Sequence, residues 1–383
     1  MPAVHRLSGL KESVIREMYR LALKHNALNL AQGFPDFDPP QAVVDAAVSA
    51  LQSGHNQYTI TWGNANLRID IAAKYAHWYG MDLNPDTDIT VTCGVTEAII
   101  AALMSVINPG DRVLILDPSH ENYLAGVLFA GGEPVWVSMN PPYFELDEDE
   151  LRAAFLKKPK AIILNTPHNP VGYVFNQEVL QLIAELCIKH NTIAITDEIY
   201  EHIIYDGYIH TPIATLPDMA SRTITTSGLT KTYATTGWRV AWAIAPPALS
   251  KPLRTVHDYL TICAPAPLQQ AAVTALNLPD SYYTDLSETY HLRRDKIINI
   301  LTKASFSVTP PQGAYYVLAD YSAIQPNMDD VTFTRWLITT KKVAVVPGGS
   351  FYRHNPALGN RLIRFSFCKK LQTLEKAQQL LNR

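Results

Sequence analysis

Residues 161–202 read AIILNTPHNPVGYVFNQEVLQLIAELCIKHNTIAITDEIYEH, and this stretch decides the fold. Two short apolar runs within it, AIIL and TIAI, predict buried strands because they are rich in β-branched residues. The segment between them, NQEVLQLIAELCIKH, repeats its apolar residues at the period of a helix. A strand, a helix and a second strand in this order are typical of the crossover between parallel strands, so the stretch predicts an α/β protein.

The same alternation extends from about residue 91 to residue 245. The runs that predict strands are DITVTCG, RVLILD, EPVWVS, AIILN, TIAITDE, TITTS and VAWAIA. We therefore expect a large domain built on a mainly parallel sheet of the seven-stranded type, with helices on both faces. Such sheets bind ligands beyond the carboxyl ends of their strands, so functional residues should follow these runs directly.

The two ends of the chain show a different pattern. The last hundred residues alternate long helices with strands that look antiparallel, whereas the first 45 or so contain few strands and the Pro-rich turn GFPDFDPP. We expect the two ends to pack together as a small α+β domain, formed by residues 1–45 and 285–383. Residues 46–284 would then form the large domain. Near the N-terminus, apolar residues from Val14 to Ala22 recur at helical spacing and predict an amphipathic helix.

The composition excludes several classes of protein. The chain has 383 residues, of which 47% are hydrophobic and 17% charged, which is unlike a disordered chain. A net charge of −3 gives no electrostatic basis for binding nucleic acid or an anionic membrane. The four cysteines lie far apart without a CxxC pair, which suits a reducing compartment. We therefore expect a cytoplasmic protein without a metal site.

Two of the predicted strands lead into turns that suit a ligand. After the first strand, Gly94 permits a tight turn, and the helix that follows leaves the amides of Val95 and Thr96 free for an anion. An ordinary strand–helix turn explains the same residues. After AIIL, the segment NTPHNPVG at 165–172 predicts a rigid loop. Either asparagine of this loop could present its amide to a ligand, and a purely structural turn is the alternative.

Two further strands lead into charged residues. Asp197 ends an apolar strand, where a carboxylate needs a cation or a hydrogen bond, although a helix cap is an alternative role; Tyr200 follows three residues later. In SGLTKTYATTGWR at 227–239, Lys231 follows a strand that we predict to be buried, where a lowered pKa would make its amine a nucleophile. Arg239 could bind a phosphate through two parallel hydrogen bonds, and an arginine exposed on the surface is the alternative. An amine, an acid, an asparagine, a tyrosine and a phosphate cradle together are what pyridoxal phosphate needs.

These segments, in this order, resemble those of the class I/II aminotransferases, which have pyridoxal-phosphate fold type I. SGLTKTYATTGWR resembles the family's Schiff-base segment, NTPHNPVG its Asn-Pro-x-Gly segment, and TDEIY its Asp-x-x-Tyr segment. The resemblance extends from GFPDFDPP to RFSFCKK. It implies pyridoxal 5'-phosphate as the cofactor and a ping-pong transfer of an amino group from an amino acid to a 2-oxo acid.

The resemblance also implies a role for each matching residue. Lys231 would hold the cofactor as a Schiff base and carry the substrate's proton, and Asp197 would pair with the ring nitrogen. Asn169 and Tyr200 would donate to the phenolate oxygen, and Arg364 would clamp the substrate α-carboxylate. The phosphate would be bound by Gly94, Val95, Thr96, Thr230 and Arg239, with Tyr58 reaching across from the second subunit of a homodimer. The substrate side would be lined by Gly33, Phe34 and Asn169.

Two positions depart from the commonest pattern of that family. Gly228 stands where serine is frequent, so a phosphate contact from this side must come from Ser227 or Thr230. His120 takes the ring-stacking position, where phenylalanine, tyrosine or tryptophan is more usual. We expect the imidazole to act as a flat stacking surface, and a titrating role is the alternative.

The substrate and the reaction type stay open at this point. No second arginine is apparent for a distal carboxylate, and Trp62, Tyr58 and Phe34 favour an apolar or aromatic substrate side chain. The same cofactor supports β-lyases, replacement enzymes and amino-acid oxidases, so these are alternatives to transamination. A non-catalytic binding protein is disfavoured, because Lys231 is present and the chain has no basic stripe.

Overall fold

The fold is known from a computed structural model, which describes residue 10 and residues 12–382. Its strands are β1 (Leu28–Asn29), β2 (Ile89–Thr92), β3 (Arg112–Asp117), β4 (Glu133–Asn140), β5 (Glu145–Leu146), β6 (Ala161–Asn165), β7 (Ile193–Asp197), β8 (Thr223–Gly228), β9 (Ala241–Ile244), β10 (Ser307–Val308), β11 (Tyr316–Asp320), β12 (Val343–Ala344), β13 (Val346–Pro347) and β14 (Leu362–Ser366). Its α-helices are α1 (Val14–His25), α2 (Gln41–Gln52), α3 (Ala65–Tyr79), α4 (Val95–Val106), α5 (Glu121–Phe129), α6 (Glu148–Leu156), α7 (Gln177–His190), α8 (Leu229–Thr232), α9 (Pro247–Thr261), α10 (Ala266–Leu276), α11 (Asp280–Lys303), α12 (Asp330–Trp336) and α13 (Leu371–Leu381).

The large sheet has the strand order β2-β9-β8-β7-β6-β3-β4-β5. The neighbours from β8 through β7, β6 and β3 to β4 are all parallel, whereas β9 runs antiparallel to both β2 and β8. All seven predicted strands form, and the prediction of a mainly parallel sheet is confirmed. The sheet has an eighth strand that the sequence analysis missed, because β5 is only two residues long and pairs at the edge with β4.

Helices cover both faces of this sheet, as the apolar strands predict. In β3, Leu114 and Leu116 pack into the core on the side of α6 and α7, while Val113 and Ile115 pack on the side of α4 and α9. This alternation follows from the two-residue period of a strand. The predicted crossover helix is α7, which begins after Asn176, whose side chain accepts a hydrogen bond of 2.9 Å from the amide of Val179.

The two ends of the chain pack against each other. The C-terminal sheet has the order β10-β11-β14-β13, and its pairs are all antiparallel, as the sequence predicts. From the N-terminal part, β1 pairs with β12, and Met18 and Ala22 of α1 pack against Ile338 and Phe351. The predicted amphipathic helix is therefore α1. The predicted domain boundary at residues 284 and 285 falls within the first turns of α11.

The described residues form neither a membrane-spanning helix nor a cluster of metal ligands. None of the helices there is both long and apolar enough to cross a membrane. Among the same residues, no group of three or more His, Cys, Asp or Glu side chains is placed to hold a metal ion.

Candidate active site

A cavity lies at the carboxyl ends of β6, β7 and β8, where α4, α5 and α8 begin. This is the edge at which a mainly parallel sheet binds its ligands. The predicted site residues that line the cavity are Val95, Thr96, His120, Asn169, Asp197, Tyr200, Thr230, Lys231 and Arg239.

Lys231 lies on α8, directly after the buried strand β8. Its Nζ atom donates to the carbonyl oxygen of Gly33 at 3.1 Å and lies 5.6 Å from the centre of the Tyr315 ring. Burial lowers the pKa of the ammonium group to about 8, and the charges of Arg239 and Arg364 add to the decrease. A substantial fraction of this amine is therefore neutral, and so nucleophilic, near physiological pH.

Asp197 ends β7 and is only 8% exposed. Tyr123 donates its hydroxyl proton to Oδ2 of this carboxylate at 2.7 Å, and the amide of Ile199 donates to Oδ1 at 3.3 Å. Burial raises the pKa of Asp197 to about 6, while the hydrogen bonds from Tyr123 and Ile199 partly oppose it. A cation beside this carboxylate would stabilise its ionised form, so the position suits a protonated ring nitrogen.

The start of α4 forms an anion cradle. Gly94 precedes the helix with a φ of 88°, and the amides of Val95 and Thr96 have no acceptor among the described residues. A Cβ atom on Gly94 would lie 2.1 Å from Nη2 of Arg239, so glycine is required for the guanidinium to approach the helix start. Asn122 donates to the hydroxyl oxygen of Thr96 at 3.0 Å and so fixes that side chain at the cavity wall.

Arg364 does not line the cavity itself but is hydrogen-bonded to Asn169, which does. It lies on β14, is 1% exposed, and donates from Nη1 to the amide oxygen of Asn169 at 2.9 Å and from Nη2 to the carbonyl of Ala31 at 2.8 Å. Because the oxygen of Asn169 accepts from Arg364, its amide nitrogen is the group left to donate to a ligand. The buried Nε of Arg364 has no partner among the described residues. Tyr200 donates to the hydroxyl of Tyr316 at 3.1 Å.

Several predicted residues lie off the cavity wall. Ser227 is fully buried and donates to Glu201 at 2.6 Å, so its hydroxyl is unavailable to a phosphate and Thr230 remains of the two alternatives. Tyr58 is 76% exposed, and Phe34 lies under the ammonium group of Lys369. Gly33 does not line the cavity itself, but its carbonyl accepts from Lys231 and it packs so closely on Tyr316 that a Cβ atom there would meet the Tyr316 hydroxyl.

Gly228, the other position at issue, has a clear packing reason to be glycine. A Cβ atom there would lie 2.7 Å from the Cα and Cβ atoms of Ala241 on β9. A serine at this position would force β8 and β9 apart, so the usual phosphate contact from this side is sterically blocked.

Part of the cavity wall is formed by residues that carry no recognisable motif. The lining residues that were not predicted are Ile99, Asn122, Tyr123, Ile199, Thr236 and Tyr316, whereas Asn165 was one of the two asparagines considered as a ligand contact. Tyr123 could have been predicted from the sequence, because it lies one helical turn after His120. In the structure its hydroxyl donates to Asp197. Tyr316 could not have been predicted from the sequence, because only the tertiary fold brings β11 beside Tyr200.

Known proteins resemble this chain along nearly its whole length. Residues 25–381 match the model of the class I and II aminotransferase family. The chain is 36% identical to the kynurenine–oxoglutarate transaminase of Dictyostelium discoideum, over 98% of this chain and 94% of that protein. It is 38% identical to the probable N-succinyldiaminopimelate aminotransferase DapC of Mycobacterium tuberculosis, over 99% and 98%.

Solved structures of similar proteins superpose on the whole chain. The structure of N-succinyldiaminopimelate aminotransferase from Mycobacterium tuberculosis has a TM-score of 0.96 and 38% identity, and 99% of each chain is covered. An Escherichia coli protein identified as a methionine aminotransferase has a TM-score of 0.94 and 35% identity, with 100% of this chain and 99% of that chain covered.

A lysine, a buried carboxylate and an anion cradle at one edge of a parallel sheet define a pyridoxal-phosphate-dependent enzyme of fold type I. The chain belongs to the class I and II aminotransferase family and is an amino-acid aminotransferase. Nothing in the comparisons favours the lyase, replacement or oxidase alternatives. The residues fit the cofactor, because the amides at α4 are free and Gly94 leaves room for Arg239.

Proposed function

We propose that Lys231 and Asp197 are the central catalytic residues of this amino-acid aminotransferase. The observation that carries the proposal is that both line one cavity with pKa values moved towards neutrality, to about 8 for Lys231 and about 6 for Asp197. Lys231 holds the cofactor covalently at rest, and its amine then moves the proton on the substrate α-carbon. Asp197 keeps a positive charge on the ring nitrogen. Pyridoxal phosphate supplies an electron sink when bound.

We propose that Arg364 binds the α-carboxylate of the substrate. Its Nε is buried without a partner among the described residues, so the guanidinium can still donate to an incoming carboxylate. Asn169 and Tyr200 act beside it, as donors to the phenolate oxygen of the cofactor. The hydrogen bond from Arg364 to Asn169 supports this arrangement, because it leaves the amide nitrogen of Asn169 free to donate.

The remaining cofactor contacts are assigned by position in the cavity. His120 provides a flat ring for stacking, and the cofactor phosphate is bound by Val95, Thr96, Thr230 and Arg239 on the cavity wall, with Gly94 directly before α4. The free amides at the start of α4 and the positive end of its dipole support this assignment.

The experiment that tests these roles compares three variants. Lys231→Ala is expected to abolish the visible absorbance of the bound cofactor and to lower kcat at least about a thousandfold. Arg364→Lys should keep that absorbance while it raises the KM for amino acids about a hundredfold, because a lysine cannot form the bidentate pair. Lys251→Ala, at an exposed position on α9, is the control and should resemble the wild type. Full absorbance or activity in Lys231→Ala would contradict the assignment.

We also propose that the enzyme works as a homodimer in the cytoplasm, with Tyr58 contributed to the neighbouring subunit's phosphate site. The exposed ring of Tyr58 supports this role. The hydroxyl of Thr61 donates to Asp258 at 3.1 Å and so holds the Tyr58 loop beside the end of α9. Tyr259 and Ile262 are also exposed there, which makes an apolar surface suited to a partner. Free cysteines suit a reducing compartment.

The proposed domain division keeps the predicted bounds. A small domain of residues 1–45 and 285–383 would carry Arg364, and a large domain of residues 46–284 would carry Lys231. The pairing of β1 with β12 supports the assignment of both chain ends to one unit.

A further inference from the structure

A buried histidine, His257, connects the start of α4 with the loop that carries Tyr58. It lies on α9, and its side chain is completely buried. Its Nδ1 lies 3.0 Å from Oε1 of Glu97, in the first turn of α4. Its Nε2 lies 3.0 Å from the carbonyl oxygen of Thr61. One imidazole ring therefore contacts the helix that forms the anion cradle and a second segment at the same time.

The hydrogen-bond partners of His257 determine its protonation state. A carbonyl oxygen can only accept, so Nε2, which faces Thr61, must carry a proton. An ionised carboxylate also only accepts, so Nδ1, which faces Glu97, must carry a second proton. The hydroxyl of Thr261, 3.1 Å from Nδ1, can accept as well as donate. The imidazole is therefore a cation whenever Glu97 is ionised.

The turn before α4 favours the ionised form of Glu97. Its second carboxylate oxygen, Oε2, accepts from the amide of Cys93 at 3.0 Å, and a bond of this kind stabilises the carboxylate relative to the acid. An imidazole is also a stronger base than a carboxylate, so a proton between the two groups resides on the imidazole. The two side chains therefore form an ion pair, with the positive charge on His257 and the negative charge on Glu97.

The carbonyl of Thr61 is held in place against the imidazole. The hydroxyl of Thr61 donates to Asp258 at 3.1 Å, and the amide of Gln269 donates to the hydroxyl of Thr59 at 3.1 Å. These bonds anchor the loop on both sides of the contact. A neutral His257 with its proton on Nδ1 would face this carbonyl with a lone pair, which is unfavourable in a buried site.

The charge of Glu97 lies close to the anion cradle. Glu97 belongs to the same first helical turn as the free amides of Val95 and Thr96, so its carboxylate competes with a bound anion for the positive end of α4. Burial chiefly raises the pKa of the Cys93 thiol, and the charge of Glu97 adds to the increase, so this charge acts on the turn before α4. A phosphate dianion at the cradle would be repelled by a Glu97 that had no counter-charge.

We propose that His257 is a positioning residue for the cofactor phosphate, and that its cation cancels the charge of Glu97 so that the positive end of α4 is left to the phosphate. This rests on the proposed function, because it requires the phosphate to bind at the start of α4. His257 does not line the cavity, so it acts through Glu97 and the turn at Cys93.

Binding of two forms of the cofactor to the full-length protein, after removal of bound cofactor, tests the proposal. Pyridoxal phosphate and pyridoxal differ in the phosphate group alone. His257→Gln removes the cation and leaves the Glu97 carboxylate without a counter-charge, so the affinity for pyridoxal phosphate should decrease at least about tenfold. The affinity for pyridoxal should stay within about twofold of the wild type. His77→Gln, which changes an exposed histidine paired with Asp280, is the matched control and should alter neither affinity.

A second substitution separates the effect of charge from that of packing. The double variant His257→Gln, Glu97→Gln has no uncompensated carboxylate, so it should recover most of the affinity for pyridoxal phosphate. Loss of packing predicts the opposite, because both partners have then been replaced. Nuclear magnetic resonance of the wild type with 15N-labelled histidine should show protons on both ring nitrogens of His257 at pH 7. Its signals are those that are absent from the double variant.

Several results would overturn the role of His257. They are an unchanged affinity for pyridoxal phosphate in His257→Gln, equal losses for pyridoxal phosphate and pyridoxal, a further loss in the double variant, and a neutral ring in the resonance spectrum. Failure of the proposed function is a separate result. It would appear in Arg239→Gln as an unchanged preference for pyridoxal phosphate over pyridoxal, since the phosphate would then bind elsewhere.

Discussion

His120 is the residue for which the sequence leaves two roles open, a stacking surface and a titrating group. Burial lowers its pKa to about 3, and the nearby charges of Arg364, Lys231 and Arg16 act in the same direction. Its Nδ1 accepts a hydrogen bond of 3.4 Å from the amide of Asn122, which requires that nitrogen to be unprotonated. The imidazole is therefore neutral at physiological pH, which supports the proposed stacking role over a titrating one.

Replacing His120 by phenylalanine tests this reasoning. The flat ring is kept and no titrating group is lost, so the pH profile of kcat/KM should keep its shape between about pH 5 and 9. The value at the optimum should stay within about threefold of the wild type. His120→Ala is the control, since loss of the ring should weaken cofactor binding about tenfold. A profile of His120→Phe that lacks a limb near pH 6 or 7 would show that the histidine titrates.

At the scale of elements, the buried carboxylate of Glu201 connects the segment after β7 with α3 through an ion pair and with the end of β8 through a hydrogen bond. Glu201 accepts from Ser227 of β8 at 2.6 Å and from the hydroxyl of Tyr79 at 2.6 Å, and it pairs with Lys74 of α3 at 2.8 Å. Burial raises the pKa of Glu201, but Lys74 and further neighbours outweigh it and lower the pKa to about 2. The segment that follows Asp197 is thereby tied to the strand that leads to Lys231.

Removal of one charge from this pair should be costly. In Glu201→Gln the ammonium group of Lys74 stays buried without a counter-charge, so the free energy of unfolding should decrease by about 3–5 kcal/mol. The double variant Lys74→Met, Glu201→Gln should recover much of this loss, because no isolated charge remains. Urea unfolding at pH 7 measures both. The pair is fully effective above the usual glutamate pKa of about 4.5, and its contribution is lost as the pH falls towards about 2. Equal stability of Glu201→Gln and the wild type would contradict this account.

The predictions from sequence succeeded where the signal is local. The strands β6 and β7 were recognisable as apolar runs, and Asp197 and Lys231 stood out as charged residues directly after such runs. Contacts between distant residues left no such signal. Ser227 was assigned to the cofactor because of its place in the motif, but the fold brings Glu201 to its hydroxyl.

The other unpredicted features of the site depend on contacts between residues that are far apart in the sequence. The hydroxyl of Tyr123 reaches Asp197 from 74 residues earlier in the chain, and Arg364 meets Asn169 across 195 residues. A surface cleft beside α1 is of the same kind, since it is lined by Arg16 near one end of the chain and Arg353 near the other. Spacing in a sequence cannot reveal such pairs unless a resemblance supplies them, as it did for Arg364.

At the scale of the whole molecule, the exposed ring of Tyr58 bears on the number of subunits that make an active site. It lies outside the cavity of its own chain, in a loop whose next residues include the exposed Ile60. The proposed homodimer gives this ring a function, because each phosphate site would then be completed by the neighbouring subunit. A monomer would leave the apolar surface around Tyr58 in water without a contribution to catalysis.

Complementation between two inactive chains tests this arrangement. A chain with Lys231→Ala lacks the catalytic amine, and a chain with Tyr58→Ala should bind the cofactor phosphate weakly. When the two chains are co-expressed with different tags, the mixed dimer should contain one site with both native residues. Random assembly should then restore about a quarter of the wild-type activity at low cofactor concentration. Chains with Lys231→Ala and Asp197→Ala are the control, because both residues line the cavity of the same chain, so neither site of this mixed dimer has both native residues and no activity should return. Absence of recovery in the first mixture, with mixed dimers isolated through both tags, would show that Tyr58 serves its own chain.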